Sequence, residues 1–480
     1  MTLSRDRDYV MNWGMTERSP CYVFEAQDIA GIMHALTIAR TASLSVIPHG
    51  AGHSYTDAAL NTNGIVIDVT GMRRILSWDP EHGVMQVEPG VTMRDVVCVA
   101  QPDRWWPVVS PSTADATIGG CVAMNVNGKN AWKYGTFGEH LLSLTVLLAT
   151  GQMLTLSPES DPQLFQAFVG SVGLLGIITS ITLQLHRIPS ESVDVLVRPA
   201  ASIGEILTIF QQEEQSADFL EAWVDGFAGG HDLGRGIVTC AKYSNVWGKE
   251  FSTGIEGYPQ GVTCLQNRVS RVSIQLEEGF ARYVGKIGRP AVKSGVRVAN
   301  STMYWWTKWR AREEIRRRSL FHYTYYSPVA LTGYRALLPQ GTETFQAFVP
   351  RSQAETLFKQ IMLYSQEHHF IPLWCVIKQH RQDPYLLSYQ VDGFSLEVNY
   401  QVVPQTVQSL RKMLWKLMKL VIVAGGRFYL AKDSLLTHTL YRQSVGDAAV
   451  ETFLHLKQLY DPEMLFQSNL FHRVFRASLQ

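Results

Sequence analysis

Apolar residues in the N-terminal part of the chain recur first at helical and then at strand spacing. Between Asp28 and Thr41 they fall on or near one face, which predicts an amphipathic helix with Ile29, Ile32, Met33, Leu36 and Ile38 on that face. A short apolar run over 44–48 follows and predicts a buried strand that leads into a glycine-rich turn. This order of elements indicates the start of a small α/β unit.

Residues 188–425 contain fewer glycines and alternate between the two spacings. Strands are predicted at Phe345–Val349, Leu373–Ile377 and Ser395–Tyr400, and amphipathic helices at Ser352–Glu367 and Thr406–Val423. Strands with helices between them favour a second, α+β domain whose sheet covers the ligand site of the first.

Two glycine segments mark the N-terminal region as a candidate binding site. The first is Pro48-His49-Gly50-Ala51-Gly52-His53-Ser54-Tyr55, and the second is Thr117-Ile118-Gly119-Gly120-Cys121-Val122-Ala123-Met124-Asn125. Glycines among Ser, Thr and Asn let backbone N–H groups approach an anion without side-chain obstruction. Either segment alone is an ordinary turn. Because the two occur in order, each beside a predicted strand, together they predict a binding site for a long pyrophosphate-containing ligand.

The chain lacks the Gly-x-Gly-x-x-Gly fingerprint of a nicotinamide-binding Rossmann domain. Gly170-Ser171-Val172-Gly173-Leu174-Leu175-Gly176 is superficially similar. It follows a predicted helix at Gln163–Val169 instead of a strand, and a strand is predicted after it at Ile177–Leu185. We therefore reject it as a dinucleotide fingerprint.

Composition narrows the class of protein. A length of 480 residues suggests two or three domains, and 46% hydrophobic with 18% charged residues is typical of a globular protein. A net charge of +1 gives no electrostatic reason for a nucleic-acid partner. The cysteines have no metal-binding spacing, so no metal site is predicted (Cys21, Cys98, Cys121, Cys240, Cys264, Cys375). A charged N-terminus without an apolar run, and no long apolar stretch elsewhere, favour a cytoplasmic enzyme with neither signal peptide nor transmembrane helix.

The order of these motifs resembles the FAD-binding oxidoreductases of the vanillyl-alcohol oxidase type, which share the para-cresol methylhydroxylase (PCMH) fold. The similarity is dense over 45–185 and resumes at the C-terminus, where Asp461-Pro462-Glu463-Met464-Leu465-Phe466-Gln467-Ser468-Asn469-Leu470 resembles the family's terminal segment. The resemblance implies an α+β protein with a PCMH-type FAD-binding domain of two α/β subdomains at 1–190. It also implies a substrate or cap domain with a mainly antiparallel sheet at 191–425, and a segment at 426–480 that returns to the FAD-binding domain.

The resemblance also implies which residues hold FAD. They are Gly50, Ala51, Gly52, His53, Ser54, Tyr55, Pro89, Gly90, Ser112, Thr113, Thr117, Ile118, Gly119, Gly120, Cys121, Met124, Asn125, Gly128, Lys129, Asn130, Tyr134, Gly135, Gly176, Ile177 and Ile178. Many family members have a histidine at the position of His53 that is joined covalently to the flavin. A histidine that only hydrogen-bonds phosphate or packs beside the ring is equally compatible with the sequence.

The segment Gly425-Gly426-Arg427-Phe428-Tyr429-Leu430-Ala431-Lys432-Asp433-Ser434 resembles one branch of the family, the decaprenylphosphoryl-ribose oxidases. That branch oxidises the 2′-hydroxyl of a lipid-linked ribose. The resemblance implies that Lys432 is the essential lysine and Tyr429 its neighbouring tyrosine. It implies a substrate pocket formed by Gln346, Lys378, Tyr326, Ser395 and Asn127. His53, Asn127, Ser395 and Glu397 depart from the pattern of that branch, and they leave the substrate open.

The expected chemistry is oxidation of a secondary alcohol by hydride transfer to flavin N5. Lys432 would orient the substrate or act as base, and Glu397 would accept the proton if burial raises its pKa. An alternative role for Glu397 is a salt bridge to Lys432 or Lys378. Two other functions fit the fold. One is a C=C reductase of a sterol-like substrate that uses NAD(P)H, suggested by Lys133-Tyr134-Gly135, and the other is a catalytically decayed flavin-binding subunit.

Residues 281–320 are basic and rich in tryptophan. They contain eleven Lys and Arg against two acids, Glu313 and Glu314, with Trp305, Trp306 and Trp309 among them. This pattern is typical of a lid that contacts a lipid headgroup layer or a phosphorylated substrate, and also of a solvated helix at 310–318. This segment makes a membrane surface an expected partner. The family resemblance adds a small-molecule or lipid-linked sugar as substrate and an NAD(P)-dependent reductase as a further partner.

Overall fold

A computed structural model describes residues 7–245, 289–310, 315–325 and 338–476 of the chain. Tyr326, Cys264 and the parts of the basic segment at 281–288 and 311–314 lie outside these ranges.

The first sheet has four strands in the order β1-β2-β4-β3, with β2, β3 and β4 parallel to one another. Its strands are β1 (Asp8–Met11), β2 (Arg18–Glu25), β3 (Val46–His49) and β4 (Ile65–Asp68). Helix α1 (Ile29–Thr41) begins after Asp28, whose side chain accepts a hydrogen bond from Gly31 N at 2.8 Å. Its buried residues pack with Val46, Ile65 and Ile67 of the sheet. The helix, strand and turn predicted here are confirmed.

The second sheet is antiparallel, with five strands in the order β5-β6-β10-β8-β9. They are β5 (Ile75–Asp79), β6 (Val84–Val87), β8 (Leu141–Leu147), β9 (Met153–Leu156) and β10 (Ile177–Gln184). The connections contain α2 (Met93–Ala100), α3 (Ile118–Met124), α4 (Ala131–Tyr134) and α5 (Pro162–Phe168), and a small pair of strands, β7 (Trp105–Trp106) with β11 (His186–Arg187). The helix at α5 and the strand at β10 agree with the sequence prediction.

The third sheet is the largest, with eight strands in the order β15-β12-β14-β13-β17-β18-β16-β19. Its strands are β12 (Ser192–Ala200), β13 (Phe219–Val224), β14 (Gly236–Tyr243), β15 (Arg316–Ser319), β16 (Thr342–Pro350), β17 (Trp374–His380), β18 (Gly393–Gln401) and β19 (Arg427–Phe428). All neighbouring strands described here are antiparallel, and the predicted α+β arrangement is confirmed.

Helices α6 (Ile203–Glu213), α9 (Arg351–Glu367) and α10 (Val407–Val423) pack on this sheet or on one another. On α10 the buried residues recur every three or four positions, as an amphipathic helix requires (Leu410, Met413, Leu414, Leu417, Met418 and Val421). The helices predicted at 352–367 and 406–423 are confirmed.

The alternative of a solvated helix at 310–318 is wrong for residues 316–318. The helix of this segment is α7 (Arg289–Arg310), which lies earlier, and Arg316–Ser319 form the edge strand β15. Strand β15 pairs with β12, and Arg317 Nε lies 3.0 Å from Asp194 Oδ1. An edge strand tolerates a run of charged side chains because solvent reaches them, and so charge alone did not distinguish it from an exposed helix.

Helices α8 (Leu320–Tyr325), α11 (His438–Val445), α12 (Asp447–Tyr460) and α13 (Asn469–Val474) complete the described chain. After α12 the chain returns to β3, where Val46 N donates to Leu465 O at 2.8 Å and Gln467 N donates to Val46 O at 2.9 Å. The boundaries at 190 and 425 and the two subdomains of the FAD-binding part stay predictions. Within the described ranges, no helix combines the length and apolarity needed to cross a bilayer.

Candidate active site

The two glycine segments are in contact with each other. A Cβ atom added to Gly50 would lie 2.3 Å from Thr117 Oγ1, so the first turn can pack this closely only without a side chain. Thr117 also caps α3, because its hydroxyl accepts a hydrogen bond from Gly120 N at 3.3 Å. Gly119 N donates to Pro89 O at 2.9 Å, which brings the Pro89-Gly90 turn to the same place. The residues therefore form a cradle lined by backbone, which suits a pyrophosphate group.

The C-terminal segment closes on the first glycine turn. Tyr55 N donates to Ala431 O at 2.8 Å, and Thr56 Oγ1 donates to Leu430 O at 2.7 Å. As a result, Lys432 Nζ lies 4.2 Å from the centre of the Tyr55 ring. An ammonium group from the far end of the chain thus faces the predicted cofactor turn.

Lys432 is paired with Glu397 of β18. Its Nζ donates to Glu397 Oε1 at 3.0 Å, and Asn399 Nδ2 donates to the same oxygen at 3.2 Å. Burial favours a raised pKa for Glu397, but the charges of Lys432 and Lys378 outweigh it and hold the pKa of that carboxyl below its ordinary value. The raised pKa expected for Glu397 is therefore wrong, and the alternative salt bridge to Lys432 is present.

Tyr429 stacks with a tyrosine that sequence reasoning missed. The rings of Tyr429 and Tyr389 lie 4.0 Å apart, and burial raises the pKa of the Tyr429 phenol well above its ordinary value. Tyr389 Oη donates to Asn125 O at 2.6 Å and accepts from Asn127 Nδ2 at 3.1 Å. Asn125 of the second glycine segment and Asn127 just after it are in this way joined through Tyr389 to Tyr429, which stays a neutral phenol.

The remaining predicted pocket residues share one face of the large sheet. Gln346 is opposite Glu397 in the register of β16 and β18, and Lys378 is opposite Ser395 in that of β17 and β18. Gln346 Nε2 donates to Ser395 Oγ at 3.3 Å, and His380 Nε2 lies 2.8 Å from the same hydroxyl. His380 was not predicted. Burial lowers its pKa to about 3, so its ring is neutral near pH 7.

Lys129 of the predicted cofactor loop binds a third missed residue, Glu221 of β13. The ammonium and carboxylate lie 2.9 Å apart, with 9% and 11% of the two side chains exposed. Lys129 also donates to Tyr323 O at 2.8 Å. Neighbouring Asn130 Nδ2 donates to Val108 O at 2.7 Å. The only sequence signal for Glu221 is an acid in the otherwise apolar strand Phe219–Val224.

Some predicted cofactor residues make contacts of their own. Ile177 is fully buried in the core beneath α1, and a Cβ on Gly176 would lie 2.8 Å from Leu147 O. The Tyr134 ring packs on His186 at 5.6 Å, and a Cβ on Gly135 would overlap the carboxylate of Glu139. For these four residues the described contacts are with protein groups. Their role at FAD stays a prediction.

His53 lies against an aromatic ring. Its imidazole centre is 4.4 Å from that of Trp13, and Trp13 N donates to Ser54 O at 2.8 Å. This stacking positions the His53 ring at the first glycine turn. A covalent bond from His53 to the flavin stays a prediction.

Comparison with known proteins defines the class. The FAD binding domain family matches residues 20–157, which include both glycine segments and the Pro89-Gly90 turn. The backbone turns at Gly50, Gly90 and Gly119, which pack closely against neighbouring chain, lie within the matched residues. The chain is an FAD-dependent oxidoreductase.

One similar protein matches nearly the whole chain. Decaprenylphosphoryl-beta-D-ribose oxidase of Mycolicibacterium smegmatis is 26% identical over 480 residues, covering 97% of each protein. Two others match in part. D-lactate dehydrogenase of Anaerostipes hadrus is 29% identical over 42% of this chain and 45% of its own length, and L-gulonolactone oxidase of Mus musculus is 30% identical over 36% and 39%.

Proposed function

We propose that this protein oxidises a secondary alcohol of a sugar or polyol, and that a pentose linked to a polyprenyl phosphate is its substrate. The three relatives, a ribose-derivative oxidase, a lactate dehydrogenase and a lactone oxidase, support oxidation of hydroxyl groups. The relative that matches along the whole chain is named for a decaprenylphosphoryl ribose, which supports the lipid-linked pentose.

The placement of Lys432 is the observation that carries the proposal. FAD, when bound, accepts the hydride that leaves the alcohol carbon. The Lys432 ammonium lies between the Tyr55 ring and the Glu397 carboxylate, so it can donate a hydrogen bond to an alcohol oxygen placed over the first glycine turn. A fixed cation there holds the hydroxyl in one orientation before the hydride leaves.

Glu397 takes the hydroxyl proton in this proposal. Its carboxylate is ionised because two lysines lower its pKa, and it already accepts hydrogen bonds from Lys432 and Asn399. The C–H bond breaks with its electron pair, the O–H bond breaks with the proton passing to Glu397, and a ketone forms. Tyr429 does not compete as base because its buried phenol stays protonated.

Lys378 is the group proposed for the phosphate of the substrate. It lies on the same sheet face as Ser395 and is partly buried. Within the described ranges no carboxylate lies within 4.0 Å of its Nζ, although its charge acts on both Glu397 and Glu221. A cation held near two acids without being neutralised by direct contact can bind an anionic group of the substrate.

The test is anaerobic flavin bleaching by a panel of polyols, free pentoses and a polyprenyl-phosphoryl pentose. Lys432→Ala should keep FAD bound and lose bleaching by about two orders of magnitude or more, since an orienting and charge-stabilising group is removed. Lys412→Ala, an exposed lysine of α10, is the matched control and should bleach like the wild type. Bleaching by Lys432→Ala at the wild-type rate would contradict the assignment.

The C=C reductase is a less favoured function. Lys133 Nζ lies 2.6 Å from Asp218 Oδ1 and 3.2 Å from Ala217 O, so these contacts already occupy the lysine of Lys133-Tyr134-Gly135. Bleaching by NADPH, with none by any alcohol, would favour the reductase, and bleaching by neither would favour a decayed subunit. An NAD(P)-dependent reductase as partner stays a prediction.

A further inference from the structure

Helix α7 has one face fixed to the protein and one face exposed. On the fixed face Asn300 Nδ2 donates to Asp225 Oδ1 at 3.3 Å, and Ser301 Oγ accepts from Arg235 at 3.0 Å. Tyr304 is buried beneath Arg235, whose guanidinium lies 4.9 Å from the centre of its ring. These contacts hold the helix in a defined orientation.

The exposed face is apolar at its centre and ends in tryptophans. Val298, Trp305 and Trp309 recur at helical spacing on this face, and Trp305, Trp306 and Trp309 are 51%, 52% and 76% exposed. A soluble protein rarely exposes three neighbouring tryptophans, whereas indole rings favour the boundary between lipid headgroups and acyl chains.

Charge identifies the partner of this face. Helix α7 contains five Lys and Arg and no Asp or Glu. Lys308 and Arg310 are exposed beside the tryptophans, with their charges 5.1 Å from the Trp305 ring and 4.6 Å from the Trp306 ring. Basic side chains around an apolar stripe complement an anionic bilayer.

The helix is also connected to the active site. Val296 of α7 packs in a small apolar cluster with Leu338 and Leu373, and Trp13 packs against the same cluster. Trp13 in turn stacks on His53 at the first glycine turn. Contacts therefore run from α7 through this cluster and Trp13 to the first glycine turn.

We infer that the exposed face of α7 docks the protein on the surface of an anionic lipid bilayer. The helix lies in the interface plane, with Trp305 and Trp309 inserted among the headgroups and Lys308 and Arg310 paired with lipid phosphates. This docking holds the enzyme where a lipid-linked sugar is dissolved. The benefit of docking rests on the proposed function, but binding to the bilayer itself does not require substrate.

The test uses the purified full-length, FAD-loaded protein and co-sedimentation with vesicles. We expect binding to vesicles of phosphatidylcholine mixed with phosphatidylglycerol, weak binding to phosphatidylcholine alone, and weakening by salt. The double variant Trp305→Ser/Trp309→Ser should lose about tenfold or more in partitioning, and Lys308→Gln/Arg310→Gln should lose dependence on phosphatidylglycerol.

The control variant is Val423→Ser/Leu459→Ser, which removes two exposed apolar side chains of α10 and α12. It should bind vesicles like the wild type, and all variants should retain FAD and bleach with a soluble alcohol. Wild type that stays out of the vesicle pellet would overturn the inference. So would equal binding by the double tryptophan variant, or self-association through these tryptophans in place of vesicle binding. Each of these outcomes leaves the proposed oxidation untouched, because bleaching is measured separately.

Discussion

The ammonium of Lys129 lies 2.9 Å from the carboxylate of Glu221, and this pair joins the loop after α3 to β13 of the large sheet. Burial favours a raised pKa for Glu221, yet the charges of Lys129 and Lys378 hold that pKa below its ordinary value. The loop at Gly128–Asn130 and the sheet are thus connected by a charged contact that is nearly out of reach of water.

Removing one member of this pair should destabilise the protein strongly. Glu221→Gln leaves the Lys129 charge buried without its acid, and the free energy of unfolding should fall by about 3 kcal/mol. Glu355→Gln, which breaks the exposed pair with Lys359, is the matched control and should cost no more than about 0.5 kcal/mol. Chemical unfolding of the FAD-loaded protein measures both. Equal losses of unfolding free energy for the two variants would show that the Lys129–Glu221 pair contributes no more to stability than an exposed pair.

Glu397 should set the acid limb of catalysis. Because its pKa is held below the ordinary value of 4.5, the rate of flavin bleaching should stay flat above pH 4.5 and fall only at lower pH. Glu397→Gln should lower the rate by roughly two to four orders of magnitude and remove that acid limb. Rapid mixing under anaerobic conditions across pH gives the profile. A Glu397→Gln variant with the wild-type rate would leave Glu397 with the salt bridge as its only role.

His380 should make stability depend on pH. Its pKa is about 3 when folded and ordinarily 6.5, so between these values the unfolded chain binds a proton that the folded chain does not. Stability should therefore be complete above pH 6.5 and decrease as the pH falls toward 3, by up to about 1.4 kcal/mol per pH unit.

The measurement is the difference between wild type and His380→Gln in unfolding free energy from pH 7 to pH 5. Wild type should lose more stability over this interval than His380→Gln. The control is His82→Gln, an exposed histidine beside Asp79, which should follow the wild type. Parallel curves for wild type and His380→Gln would mean that His380 titrates alike in the folded and unfolded chain.

A side chain at Gly50 should weaken FAD binding unless the Thr117 side chain is shortened. The Cβ of Gly50→Ala would meet Thr117 Oγ1 at 2.3 Å, which should weaken FAD binding on the order of tenfold or more. Thr117→Ala in the same chain removes that oxygen, and FAD content should recover toward that of Thr117→Ala alone. Gly295→Ala on α7, where nothing lies within 4 Å, is the control. If Gly50→Ala/Thr117→Ala contained as little FAD as Gly50→Ala, the contact with Thr117 would not be the cause of the loss.

Local patterns predicted the elements well where one face decides the structure. Helices α9 and α10 have a helical period that matches their buried faces, and strands β16 and β18 are apolar-rich runs that are buried almost throughout. Residues 316–318 were different, because three arginines suit any exposed backbone. Their strand is decided by pairing with β12, including the contact of Arg317 with Asp194, which lies far away in the sequence.

The candidate site was predictable to the extent that motif resemblance placed Lys432 and the glycine segments. Glu221, His380 and Tyr389 were missed because each acts through a partner distant in the sequence: Lys129, Ser395 and Asn125. The pKa of Glu397 was predicted in the wrong direction for the same reason. Burial was inferred from the strand, but the combined charge of Lys432 and Lys378 is a property of the folded arrangement.

The hydrogen bonds that join Val46 to Leu465 and Gln467, and Tyr55 to Ala431, have a consequence for biosynthesis. Strand β3 and the first glycine turn are translated early, but their partners leave the ribosome only after almost all of the intervening chain. For most of its synthesis, the nascent protein therefore lacks the C-terminal residues that complete the nucleotide-binding site. We therefore expect FAD to bind only after these C-terminal residues have been made, so that a ribosome-stalled chain ending before residue 430 should emerge colourless.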